Sequence, residues 1–317
     1  MASNKKKDKA IKFFSVFSVI LCFFAFCGGF VKSQSEDLYY DFENKDIVKI
    51  SCSEDITTIG ESIYNDECVL VNDIHITDNA FRIGTTGKPF SGTFDGNGHT
   101  IYIDFNTVTQ NTSLFSCIEA SGVIKNTRFV FEGIIVDGNT YGGIAKINYG
   151  TIKDCKIECA QILINNDVGI YSPCVVINKG MIANVVVDCS FANSQIYENE
   201  ESILFGGICT YNYGTIKNCI SAPTFNNIIC SDEFKILVGE TVNVGISAIC
   251  AVNMSNSLTT NSVAILKTGV YTADKNSGLL IAGNYSDITN ENVFFFELDF
   301  NNRVWKIQEK EIVLIQG

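Results

Sequence analysis

KINYGTIKDCKIEC, from Lys146 to Cys159, decides the fold once three other stretches are laid beneath it. IEASGVIKNTRFVF (Ile118 to Phe131), VINKGMIANVVVDC (Val176 to Cys189) and TYNYGTIKNCISAP (Thr210 to Pro223) align with it without gaps over their centre. Their glycines are Gly122, Gly150, Gly180 and Gly214, spaced 28, 30 and 34 residues apart. Weaker copies follow around Asn253 and Asn284. Self-similarity at such a period is the mark of stacked units that cannot bury their inner faces alone.

Counting from each glycine defines columns. Two residues on stand Ile124, Ile152, Ile182 and Ile216, and five on stand Thr127, Cys155, Val185 and Cys219. Seven on stand Phe129, Ile157, Val187 and Ser221, and nine on stand Phe131, Cys159, Cys189 and Pro223. Positions 5, 7 and 9 keep the period of two that marks a strand with one buried face. The step from 2 to 5 breaks it, so the chain turns a corner. At that corner stand Asn126, Asp154, Asn184 and Asn218. Short polar side chains tolerate left-handed backbone and bond to nearby main chain, as a sharp corner requires. The glycines are also expected at corners, with positive φ or tight packing.

There is no leucine ladder of the leucine-rich repeat kind. A propeller blade needs about 40 or more residues and four strands. The pattern therefore predicts an all-β parallel β-helix, with stacked coils from 109 to about 295, an N-terminal cap and first coils at 34–108 and a closing segment at 296–317.

FGGICTYNYGTIKN (Phe205 to Asn218) and YGGIAKINYGTIKD (Tyr141 to Asp154) resemble the GLUG repeat of bacterial and protist surface proteins. CVLVNDIHIT (Cys68 to Thr77) and PFSGTFDGNGHTIYID (Pro89 to Asp104) resemble the coils that precede such repeats, and VWKIQEKEIVLIQG (Val304 to Gly317) resembles their closing segment without its usual Pro. The resemblance spans about residues 45 to 317. It implies a right-handed solenoid of the adhesin-like exported kind, and no conserved chemistry.

At the N-terminus, Lys5, Lys6, Lys7 and Lys12 precede FFSVFSVILCFFAFCGGFV, an uncharged run from Phe13 to Val31. A basic region followed by an apolar one is the pattern of a secretory signal. At 19 residues the run is also long enough to span a bilayer if retained. Residues 1–33 are thus expected to be a signal peptide or a signal anchor, with the body secreted or on the cell surface. Past Ser33 the chain carries 17 basic and 34 acidic residues. Such a body repels phosphate backbones, which excludes nucleic acid as an expected partner.

Asp95, Asn97 and His99 in FDGNGHTI could suggest acid–base work, but Asp-Gly-Asn-Gly is turn chemistry between strands. His75 alternates within a strand, and no His/Cys spacing suits zinc. Arg128 has no partner in its column, and Asp154 reads as a corner residue. The 11 cysteines after Ser33 are an odd number, and several fall at inward positions as small buried residues. Cys159 with Cys189, and Cys52 with Cys68, are the pairs in plausible disulfide reach. Asn111, Asn253 and Asn284 open glycosylation sequons, the last two at corners.

No catalytic, cofactor-binding or metal-ligating residue is therefore expected, and no cofactor is implied. The expected function is non-catalytic: adhesion, binding of a surface glycan or protein ligand, or structural presentation. The alternatives are a polysaccharide-acting β-helix lyase or glycoside hydrolase, and a viral or coat component.

Overall fold

In the computed structural model, all described residues belong to the unit Ile47–Gly317. They are residues 47–56, 66–77, 82–104, 107–108, 113–166, 169–193, 203–226, 244–247, 249–254, 256–260, 262–266, 269–273, 280–282, 300–308 and 311–316. The apolar segment 13–31, Asn111 and Asn284 lie outside them. The only helical residues among those described are 53–56, and no described helix is long and apolar enough to cross a membrane.

The chain is a parallel β-solenoid. One ladder runs Val48, Cys68, Phe94, Ile124, Ile152, Ile182, Ile216, Thr259, each residue paired in parallel with the next. A second runs Ile74, Ile101, Phe129, Ile157, Val187, Ser221, and a third runs Ile76, Ile103, Phe131, Cys159, Cys189, Pro223. These are the columns read from the repeats, extended upstream into the first coils. Ile124, Ile152, Ile182 and Ile216 are fully buried. Period-two alternation sends these side chains inward, and each coil covers the apolar edge of the next.

Two further parallel sheets close the coil. One holds Phe115–Ile118, Ala145–Asn148, Val175–Asn178, Cys209–Asn212 and Cys250–Asn253. The other holds Thr140–Gly142, Gly169–Ser172, Ile203–Gly206 and Val244–Ser247.

The corner positions carry the expected backbone. Asn126, Asp154, Asn184 and Asn218 have φ between 51° and 54°, and Asn97 in the first coils has φ 50°. Of the two grounds expected for the glycines, positive φ or tight packing, the second is the one found. Gly122, Gly150, Gly180 and Gly214 are not among the positive-φ residues, and close approach is what selects them. A Cβ on Gly150 would stand 2.2 Å from the Gly122 carbonyl oxygen, and one on Gly180 or Gly214 would stand 2.1 Å from the carbonyl of the glycine one coil before.

Parallel coils were expected to about residue 295, but among the described residues the parallel ladder reaches Ala264 and the pairing after it is antiparallel. Val263–Leu266 pairs antiparallel with Gly269–Ala273, which pairs antiparallel with Leu280–Ala282. The strongly aligned repeats have ended by then, and with them the glycine and corner residues that hold a coil in register. The closing segment is a hairpin, Trp305–Gln308 against Glu311–Leu314. Phe300, Trp305 and Leu314 cover the outward-facing Val186 and Ile220 of the neighbouring strands. The chain passes so close at Gly98 that a Cβ there would lie 2.3 Å from the Ile315 carbonyl oxygen.

Candidate functional site

The outer surface on either side of the glycine column is a lattice of side chains repeating from coil to coil. In one coil the outward residues are Ile147, Tyr149, Thr151 and Lys153, and in the next Ile177, Lys179, Met181 and Ala183. The third coil presents Tyr211, Tyr213, Thr215 and Lys217, and the fourth Val252, Met254, Leu258 and Thr260. The registers Ile147–Ile177–Tyr211–Val252, Thr151–Met181–Thr215–Leu258 and Lys153–Ala183–Lys217–Thr260 fix three of its columns. Backbone hydrogen bonds carry the fourth: Lys179 N–H donates to the Asn148 carbonyl, Tyr213 N–H to Asn178, and Met254 N–H to Asn212.

This surface is unusually apolar for one facing water. Of the seven large hydrophobic residues exposed among those described, Tyr149, Met181, Tyr213, Met254 and Leu258 all lie on it. Grouped exposed apolar side chains mark interaction surfaces, whereas scattered ones need no explanation. Tyr149 and Tyr213 are 42% and 44% exposed, and Lys179 sits between them. Its ammonium lies 5.1 Å from the Tyr149 ring centroid and 5.8 Å from that of Tyr213, and donates to the Tyr149 hydroxyl at 3.4 Å. A cation held over a ring face in this way fixes the spacing of all three side chains.

The lattice stands on a rigid foundation directly beneath. Asn148, Asn178 and Asn212 are fully buried, and each passes its amide to the next coil. Asn148 Nδ2 donates to Asn178 Oδ1, Asn178 Nδ2 to Asn212 Oδ1 and Asn212 Nδ2 to Asn253 Oδ1, each at 2.9 Å. Asn253 therefore belongs to this inward ladder rather than to a φ-positive corner, and its Oδ1 also accepts from Ser257 Oγ at 2.8 Å. Asn148 Oδ1 has no partner, because the coil before it carries Ile118 in the same register.

The residues that first suggest acid–base chemistry lie elsewhere, in the first coils. His99 Nδ1 stands 3.3 Å from Asp73 Oδ1, which also accepts from the Thr100 N–H at 2.8 Å. Asp95 Oδ1 accepts from the Asn97 N–H at 2.8 Å and Asn126 Nδ2 at 3.1 Å, and Oδ2 faces Lys125 Nζ at 3.1 Å. The Asp95 carboxylate is thus spent on holding its turn and the next corner. His75 stacks on Tyr102, centroids 4.5 Å apart. Asp73 is the partner that sequence reasoning missed, since 26 residues separate it from His99.

Arg128 also gains a partner from the next coil. It and Lys156 both pair with Glu158, Lys156 at 2.9 Å. Burial raises the Glu158 pKa, but hydrogen bonds from Arg128 and Lys156 outweigh it and hold the carboxyl below its ordinary value.

The ten cysteines among the described residues are free thiols, which corrects both suggested disulfides. Cys52 is exposed at a turn capped by Asp55, while Cys68 points inward. Cys159 and Cys189 are in-register neighbours, but parallel Cβ atoms about 4.8 Å apart exceed the roughly 3.5–4.5 Å that a disulfide spans. Burial pushes the thiols of Cys174, Cys189 and Cys209 well above their ordinary value and that of Cys219 to about 12. Such thiols behave as small apolar core groups.

No protein-family model matches the chain, and no curated protein matches it. Among solved structures, a candidate immunoglobulin A1 protease from Bacteroides ovatus is similar to it. The identity is 14% and the TM-score 0.50, over 86% of this chain and 94% of that one. At that identity the likeness bears on the fold alone.

Proposed function

We propose that this chain is an exported, non-catalytic solenoid, right-handed and of the GLUG kind, that binds ligand at a surface through its outer lattice. The observation that carries this reading is the concentration of exposed Tyr149, Met181, Tyr213, Met254 and Leu258 on one repeating face. Keeping such groups in water promotes non-specific association, so a face that retains them in register is read as a binding face. The buried amide ladder supports the same reading, because it holds the lattice rigid and so lowers the entropy lost on binding. The basic and apolar N-terminal segment supports export, as a signal or an anchor.

The test is a screen of the purified, fluorophore-labelled protein against glycan and protein arrays, beside a Tyr149→Ser, Tyr213→Ser, Leu258→Ser variant. A hit lost in the variant supports the reading. Binding indifferent to the triple substitution, or no binding at all, overturns it.

A second reading rests on the contact between His99 and Asp73. A histidine held by a carboxylate can act as a general base, and a polysaccharide-acting enzyme would use it on the first coils. Turnover of a polysaccharide by the purified protein, lost in His99→Ala and Asp73→Asn, would replace the binding reading with this one.

A further inference from the structure

We infer that the outer lattice takes a carboxylate-bearing glycan, laid along the solenoid axis over Tyr149, Lys179 and Tyr213. The inference rests on the binding reading above and names its ligand class.

The argument starts from the two tyrosines. They stand on alternate coils, roughly 10 Å apart by the spacing of stacked strands. Each offers an apolar ring face with a hydroxyl at its tip, which suits a ligand whose rings have apolar faces and polar edges. A polymer of pyranose rings presents that alternation along its length, and the lattice repeats along its own axis in the same manner. A protein partner would instead favour a contiguous apolar core with charges kept to the rim. Here Lys179 sits between the tyrosines, and Thr151 and Thr215 flank them.

Charge selects the acidic class. Lys179, Lys153 and Lys217 share the lattice, and none of them forms an ion pair with a carboxylate among the described residues. No Asp or Glu occupies any of the sixteen lattice positions of the four coils. The chain as a whole carries −12. An anionic polymer is therefore repelled over most of the surface and drawn to this strip, where its carboxylates meet the ammonium groups of Lys153, Lys179 and Lys217. Glu119, exposed one coil before Tyr149, ends the attractive strip on that side.

The experiment measures binding of the purified protein to immobilised polygalacturonate, hyaluronate and alginate, each beside its carboxyl-reduced form. We expect saturable binding to at least one native polymer, weakened by salt and lost on carboxyl reduction. Tyr213→Ala and Lys179→Ala should each weaken it about tenfold, with melting unchanged, and Lys179→Arg should retain most of it. Failure to bind all three polymers, or equal binding of native and carboxyl-reduced forms, overturns the inference. A hit on a neutral glycan or a protein array, lost in the triple serine variant, would overturn this ligand class while leaving the broader binding reading standing.

Discussion

Asp154 Oδ1 accepts a hydrogen bond from the indole Nε1 of Trp305 at 3.3 Å, tying the closing hairpin to a corner of the solenoid. The same oxygen accepts from Asn184 Nδ2 on the next coil at 3.0 Å. A corner position otherwise filled by Asn thus carries Asp where two donors converge on one acceptor. Trp305 is buried beside Phe300, their rings perpendicular with centroids 5.3 Å apart.

Trp305→Ala should cost about 3–5 kcal/mol if the hairpin unfolds with the body. Asp154→Ala should cost about 1–3 kcal/mol, since both donors lose their acceptor. Denaturant melts should rank the two in that order, and hydrogen exchange should quicken first in residues 304–315. Equal stability of Trp305→Ala and the parent would dismiss the hairpin as a clasp.

The amide ladder makes a second prediction. Asn178 sits at its centre, accepting from Asn148 and donating to Asn212. Asn178→Leu removes both, leaving a buried donor on one side and a buried acceptor on the other, at about 2–5 kcal/mol together. Asn253→Ala, at the partly exposed end, should cost less than half as much. A melt showing the reverse order would mean that the ladder is not continuous.

Much of the fold was legible in the repeats, for a physical reason. Ile124, Ile152, Ile182 and Ile216 face inward because strand alternation is local, and the φ-positive Asn residues reveal themselves because few side chains tolerate that backbone. The Asn148 ladder was hidden, although an Asn stands two residues before three of the glycines, because a polar residue within a strand is read as outward-facing. Trp305 and Asp154 lie 151 residues apart, and no local pattern joins them. The lattice was visible only in part. Lys125, Lys153 and Lys217, three residues after their glycines, are in sequence no different from any solvated charge, and the tyrosines beside Gly150 and Gly214 acquire meaning only when the coils bring them into one column.

Substitutions at the corner separate collision from backbone strain. Gly214→Ala places a Cβ 2.1 Å from the Gly180 carbonyl oxygen, and overpacking of this kind costs about 1–3 kcal/mol. Asn184 already holds left-handed backbone, so Asn184→Gly keeps the conformation and loses chiefly the hydrogen bond to Asp154, while Asn184→Val adds about 1–2 kcal/mol of backbone strain. Melting temperatures should fall in Gly214→Ala and Asn184→Val more than in Asn184→Gly. A harmless Gly214→Ala would refute the close-approach account.

Acid should weaken the body through Glu158. Its folded pKa lies below the ordinary 4.5, as hydrogen bonds from Arg128 and Lys156 overcome the effect of burial. A carboxylate whose folded pKa is depressed contributes stability above its unfolded value, and that contribution fades as pH falls through the folded one. Melting followed downward from pH 5 should therefore decline, and Glu158→Gln should be less stable at pH 7 yet flatten this limb. An unaltered acid limb in the variant would assign the loss to other carboxylates.

Thiol chemistry reports on the interior last of all. Cys52 is exposed, whereas Cys155, Cys174, Cys189, Cys209 and Cys219 are buried with their pKa values raised by burial. Reaction requires the thiolate and access to solvent, so both factors protect the inner set. Brief alkylation of the native protein at pH 8, followed by peptide mapping, should label Cys52 and spare those five. Denaturant should release all of them in one cooperative step, because they occupy successive coils of a single core. If Cys189 were modified as fast as Cys52 in native buffer, the stack of coils around Phe131 and Cys159 would have to open without global unfolding.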